Sequence, residues 1–123
     1  APMTDVFVRP TQYVVSVFPD RLREDRAAAS DASAWDVRIE ERSAGKWAVV
    51  HASYCLGAHD GEWDHEPSPS NRTDEWIADH RFTLEEATRL AIDEAPFIMV
   101  NGLYATQVRD RHAARLPVEE QQP

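Results

Sequence analysis

The stretch Trp35-Asp-Val-Arg-Ile-Glu-Glu-Arg-Ser-Ala-Gly-Lys-Trp-Ala-Val-Val-His51 places two alternating runs on either side of a short glycine-bearing turn. Trp35, Val37 and Ile39 fall on one side and Asp36, Arg38 and Glu40 on the other, the period-two pattern of a half-buried strand. An antiparallel hairpin over 35–55 follows, with strands from about Trp35 to Glu41 and Lys46 to Cys55. Turn chemistry chooses the register. A two-residue Ala44-Gly45 loop of type I′ would force alanine to positive φ, whereas a Ser43-Ala44-Gly45 loop with a bulge needs only Gly45 in the left-handed region. That register sets Ile39 opposite Val49 and Val37 opposite His51, with Trp47 inward. A slip of one residue would turn Val50 and Ala52 inward instead.

Outward from the hairpin, Tyr13 to Phe18 reads as a first strand after an N-terminal arm over 1–12. Residues 20–34 are polar and alanine-rich; one or two helical turns could form around Leu22, but without an apolar stripe the segment reads as a mobile connection. Thr73 to Arg81 reads as a short helix or turn carrying Trp76 and Ile77. Thr83-Leu-Glu-Glu86 fits a capping box, and it opens a helix to Ala95 whose apolar face is Leu84, Ala87, Leu90, Ala91 and Ala95. Pro96 closes that helix. Phe97 to Val100 reads as a buried strand or extended segment, Asn101-Gly102 as a turn, and Tyr104 to Leu116 as a C-terminal helix around Val108. The domain is then 13–116, with a polar tail over 117–123. Three to four antiparallel strands followed by helices on one face define an α+β fold.

With 123 residues, 42% hydrophobic, and four tryptophans, one domain has apolar surface enough to fold without metal or disulfide. Cys55 is the only cysteine, so no internal disulfide forms, in keeping with a reducing compartment. No apolar run approaches the roughly 18 residues that span a bilayer. The first residues lack the basic start and apolar stretch of a secretory signal, so a cytoplasmic protein with no membrane contact is expected. A formal charge of −9 disfavours nucleic acid as a partner.

Cys55, His59, His65 and His80 have donor atoms suited to zinc. Their Cys-x3-His-x5-His spacing fits no standard finger or ribbon, so no metal or other cofactor is expected, and a zinc-binding domain is the alternative. Asp60, Glu62, Asp64 and Glu66 alternate like the start of a calcium loop. Glycine falls at the second position, however, and Asn71 stands where the bidentate glutamate would be. Cys55 and His51 lie four residues apart on one predicted strand, about 13 Å, too far for a catalytic dyad. Four glycines leave no phosphate-binding loop and no nucleophile elbow. Arg109, Arg111, His112 and Arg115 give the C-terminal helix a cationic side, the basis of a further alternative as a nucleic-acid-associated regulator.

The remaining feature is an acidic segment with interleaved indoles. Asp60, Glu62, Trp63, Asp64, Glu66, Asp74, Glu75 and Trp76 form the candidate partner-binding set, because tryptophan within a charged loop commonly anchors protein interfaces. Their carboxylates would discourage edge pairing if they lay on a strand. A protein acting by contact with another protein is the leading expectation, and a homo-oligomer is compatible with it.

The segments Gly45-Lys-Trp-Ala-Val-Val50, Cys55-Leu-Gly57, Gly61-Glu-Trp-Asp64, Glu66-Pro-Ser-Pro-Ser70, Trp76-Ile-Ala-Asp-His-Arg-Phe82 and Ala95-Pro96 with Val100-Asn-Gly102 resemble small uncharacterised proteins of actinobacteria and their plasmids and phages. The resemblance runs over residues 35 to 112. It implies a genomic setting and no activity; a phage or mobile-element origin would suit an accessory protein that works by binding another protein.

Overall fold

Ile39 faces Val49 across the central hairpin, as the turn chemistry requires. The structure is a computed structural model that describes residues 5–117; the first four residues of the expected arm, and 118–123 of the expected tail, lie outside the described residues. Strands β2 (Val37–Ser43) and β3 (Lys46–His51) form the hairpin, and Gly45 takes φ +71° in the left-handed region. Pairing closes one step nearer the tip than expected. Ser43 faces Lys46, only Ala44 and Gly45 lie between them, and the register shift falls between Glu41 and Ser43. The irregularity is absorbed on β2, so the apolar pairs beyond it keep the expected alignment.

Strand β1 (Gln12–Val15) lies beside β2 with Tyr13 opposite Ile39, while β4 (Tyr54–Leu56) and β5 (Trp63–His65) continue the meander. The order is β1-β2-β3-β4-β5, antiparallel throughout. The sheet therefore has five strands where three to four were expected. The expected strand over 46–55 is broken: Ala52 takes φ +54°, and the chain doubles back so that Tyr54 faces His51. Positive φ is uncommon outside glycine, and Ala52-Ser53 carries no turn signature.

The segment over 20–34 is also more ordered than its composition suggests. It forms α1 (Asp20–Arg23) and α2 (Arg26–Trp35), with Leu22, Ala28 and Ala32 buried. The Asp25 carboxylate caps α2 by accepting the Ala28 N–H at 3.0 Å. A stripe built from Ala28, Ala32 and Trp35 is weak in hydropathy, yet small side chains let the helix approach its neighbours closely. Trp35 ends this helix rather than starting β2, and its indole N–H donates to the Leu103 carbonyl at 2.9 Å.

Helix α4 (Leu84–Glu94) begins with the expected capping box and lies against β2 and β3 through the fully buried Ala87 and Ala91. A 3-10 turn at Ala95–Phe97 leads to the small ribbon β6 (Met99–Val100) and β7 (Leu103–Tyr104), hinged at Asn101 (φ +52°) and Gly102 (φ +79°). The expected buried strand over 97–100 is corrected here: Ile98 alone is buried, and Phe97 and Met99 face outward. Helix α5 (Ala105–Arg115) packs on α2 with Val108 in the core.

The main core fills one face of the sheet, where Val37, Ile39, Trp47, Val49 and Leu56 meet α4, α2 and α5. The other face is covered as well. Ala48, Val50 and Cys55 form a second buried cluster beneath Trp76 of α3 (Asp74–Asp79). Helices α4 and α5 share one face as expected, and the short α3 covers the other. Trp47-Ala48-Val49-Val50 is apolar on both sides, the mark of a strand covered twice.

Candidate functional site

Along the middle of the sheet, Arg38, Val50, Cys55 and Asp64 are successive cross-strand partners and share the second face. Glu66, just past β5, collects three guanidinium groups there. Arg42 donates to both of its oxygens at 3.2 and 3.0 Å, Arg72 to one at 2.9 Å, and Arg81 to the other at 3.4 Å. The Cys55 thiol also donates to it at 3.2 Å. Burial alone would raise the Glu66 carboxyl; the thiol hydrogen bond and the cations Arg42, Arg81 and Arg72 outweigh it and hold the group below the ordinary glutamate value. Burial first, and then Glu66 itself, push the Cys55 thiol up to about 11. This thiol is neutral and inert, not a nucleophile.

His80 is buried one turn away. Its ring lies parallel to the Trp76 indole, 3.9 Å between centroids at an interplanar angle of 8°, and its Nε2 stands 2.8 Å from Asp64 Oδ2. The Arg81 guanidinium lies 5.5 Å from the Trp76 ring centre, within cation–π range. Gly57 makes this approach feasible: a Cβ there would sit 3.0 Å from Asp79 Oδ2, 3.1 Å from His80 Nε2 and 3.2 Å from Asp64 Oδ2.

Trp63 points the other way. It pairs with Leu56, leans on the main core, and meets the His51 ring edge-on at 6.2 Å. Beside it an open cleft of about 460 Å³ runs between the sheet and the 3-10 turn, lined by His51, Tyr54, Trp63, Phe97, Ile98 and Met99 together with Ala52. Phe97 is 70% exposed, Met99 50% and Tyr54 43%. Among the described residues an apolar, aromatic trough thus opens beside the outermost strand.

The candidate set is therefore divided. Asp64, Glu66 and Trp76 come together on the second face, the two carboxylates bonded inside the chain and the indole stacked on His80. Asp60 accepts the Glu62 N–H at 3.0 Å, closing its own loop. Glu62, Asp74 and Glu75 are exposed, the last two in the first turn of α3, where their charge suits the helix dipole. Trp63 lines the cleft. Both indoles are half-buried, each serving as a cover for one of the two cores.

The zinc alternative finds no geometry. Cys55 is engaged with Glu66, His80 with Asp64, and His65 stands edge-on to Tyr54, while His59 is exposed; among the described residues no group of three or more histidine, cysteine or carboxylate side chains is placed to hold a metal ion. His51 and Cys55 lie on opposite faces, because the reversal at Ala52 makes Cys55 the partner of Val50. On α5, His112 is buried against Asp31, Arg115 reaches Asp25 and Arg109 pairs with Asp110, so the cationic side is largely neutralised within the chain.

Phe97, Met99 and Tyr54 were absent from the sequence-derived candidates. A run of four apolar residues, Phe97 to Val100, reads equally as a buried strand, and only the ribbon geometry turns Phe97 and Met99 out. Fold and site together define a two-sided α+β meander with an open aromatic cleft at one sheet edge. No family model, no curated protein and no solved structure matches the chain. Among the described residues, no helix is long and apolar enough to cross a membrane.

Proposed function

We propose that the chain is a non-enzymatic accessory protein that holds another protein, seating an extended apolar segment of it in the cleft beside Trp63. The exposure of Phe97, Met99 and Tyr54 around that cleft carries the reading. Contiguous exposed apolar patches on small proteins mark contact surfaces, and aromatic anchors supply most of the energy at such contacts. The exposed carboxylate of Glu62, next to Trp63 in the chain, favours a basic partner in the approach. A lone, buried, free Cys55 suits work in the cytoplasm. A phage or mobile-element origin, implied by the resemblance described above, fits such a role.

Capture from an extract of the native host by three immobilised proteins tests it: wild type, Phe97→Asp/Met99→Asp, and Glu62→Gln/Asp74→Asn/Glu75→Gln. Loss on the cleft variant alone supports the proposal. Loss on the carboxylate variant alone moves the contact to the acidic surface, and equal capture by all three removes both.

A further inference from the structure

The residues before β1 form the most exposed apolar segment among those described. Val6, Phe7 and Val8 are 83%, 84% and 98% exposed, in a run with no helix or strand of its own. Three consecutive large apolar side chains in water gain by burial. Their base is fixed: Arg9 pairs with Glu41, and the Thr11 carbonyl accepts the Glu41 N–H at 2.9 Å. At the other side of the sheet the cleft stands open beside β5, whose outer edge has no strand partner among the described residues. We infer that the Val6–Val8 arm of one molecule occupies the Trp63/Phe97/Met99 cleft of a second copy of this chain.

Reach excludes the arm's own cleft. Strand β1 is first in the sheet and β5 last, four spacings apart, or about 19 Å at about 4.8 Å per spacing. Phe7 is four residues from Thr11, which extends to at most about 14 Å, and the anchored Arg9 shortens that further. The donor and acceptor of the contact therefore sit at opposite edges of one molecule, and a second molecule completes each.

Strand alternation supports the alignment. An antiparallel arm with Phe7 across from Trp63 places Asp5 across from His65 and Val6 across from Asp64, while Arg9 keeps its Glu41. Phe7 then falls on the Trp63 side of the added strand, toward the cleft, because side chains alternate. Strand addition of this type supplies main-chain hydrogen bonds from the free edge and lets the pocket read alternate side chains. The contact rests on the cleft being a docking site, as in the proposed function, and would regulate that site: a cleft filled by another copy's arm is closed to a foreign segment.

Light scattering and sedimentation of the full chain test it, with Phe7→Asp as the arm variant and Phe97→Asp as the cleft variant. Both positions are exposed in the single chain, so circular dichroism melts should match wild type. Wild type is expected to self-associate with rising concentration, and each variant to weaken association at least about tenfold. Mixing the two variants should restore a complex of two chains, since Phe97→Asp retains an arm and Phe7→Asp retains a cleft. Wild type that stays monomeric to about 1 mM, variants that associate like wild type, or a mixture that stays monomeric would each overturn it. Failure of host-protein capture with self-association intact would remove the proposed function and leave this inference standing; the reverse pattern removes only this one.

Discussion

His80 and Asp64 meet at 2.8 Å, Nε2 to Oδ2, while the other ring nitrogen, Nδ1, stands 2.7 Å from the Trp76 carbonyl oxygen. Both neighbours are oxygen acceptors, one on the ring's own helix and one on the sheet, so the imidazole bridges the two. His112 is held differently. Its Nε2 stands 2.7 Å from Asp31 Oδ2, and its Nδ1 stands 2.6 Å from an Arg115 nitrogen that can only donate. Each histidine ties a helix: His80 fastens α3 to β5, and His112 fastens α5 to α2.

Removing the polar half of the first tie should loosen the second face of the sheet. His80→Phe retains an aromatic ring over Trp76 but leaves the Trp76 carbonyl and Asp64 without their donor. A loss of about 1–3 kcal/mol is expected in urea unfolding, with Asp64→Asn costing less because Asp64 is partly solvated. Wild-type stability in His80→Phe would show that the tie is not structural.

Gly57→Ala tests the same packing from below. Gly57 has no positive φ, so the cost is steric, arising from the Asp79, His80 and Asp64 atoms at 3.0–3.2 Å. About 1–2 kcal/mol of destabilisation is expected. The double variant Gly57→Ala/His80→Ala should be less destabilised than the sum, since truncating the ring opens the space the methyl needs. Strict additivity in a thermal or urea cycle would contradict that geometry.

The Glu66 cluster makes an acid limb. A carboxyl held below its ordinary value in the folded chain contributes stability that is complete above that ordinary value, near 4.5, and drains away as pH falls through the depressed folded value. Asp25, lowered chiefly by its Arg115 hydrogen bond, has the same sign. Melting temperature should fall below about pH 4.5, and Glu66→Gln should flatten that fall while lowering the neutral-pH value. An unchanged slope in Glu66→Gln would assign the acid limb to other groups.

At the alkaline end the sign reverses. The Cys55 thiol is raised from 9.0 to about 11, so its contribution is intact below the ordinary thiol value and is lost as pH climbs toward the folded one. Below that window the buried neutral thiol should resist alkylation, reacting at least about a hundredfold more slowly in the native chain than in urea. Rapid labelling of native protein at pH 8 would show that the second cluster opens readily.

Some of this was legible before any coordinates. The alternation from Trp35 onward and the single left-handed Gly45 fixed which residues face one another across the hairpin, and Thr83/Glu86 located the start of α4. Both depend on neighbours within a few residues, where turn and cap chemistry act directly. The alanine stripe of α2 escaped notice because periodicity is read through hydropathy, and Ala28 and Ala32 are buried for their small size instead. The reversal at Ala52 escaped because alanine gives no sign of positive φ.

The candidate site shows the same division. Trp63 was identifiable as an indole in a charged stretch, yet whether it covers a core, lines a cleft or does both depends on Phe97 and Met99, more than thirty residues away. By itself the sequence determined an α+β chain, its central register, its main helix and the identity of its acidic, indole-bearing excursion, since each is written in local spacing. Tertiary structure alone decided that the sheet is covered on both faces, that Glu66 and Asp64 are spent inside the chain, and that Phe97 and Met99 stand in water. Those outcomes depend on which distant side chains compete for the same carboxylate or the same apolar surface, and that competition is settled only when the strands are side by side.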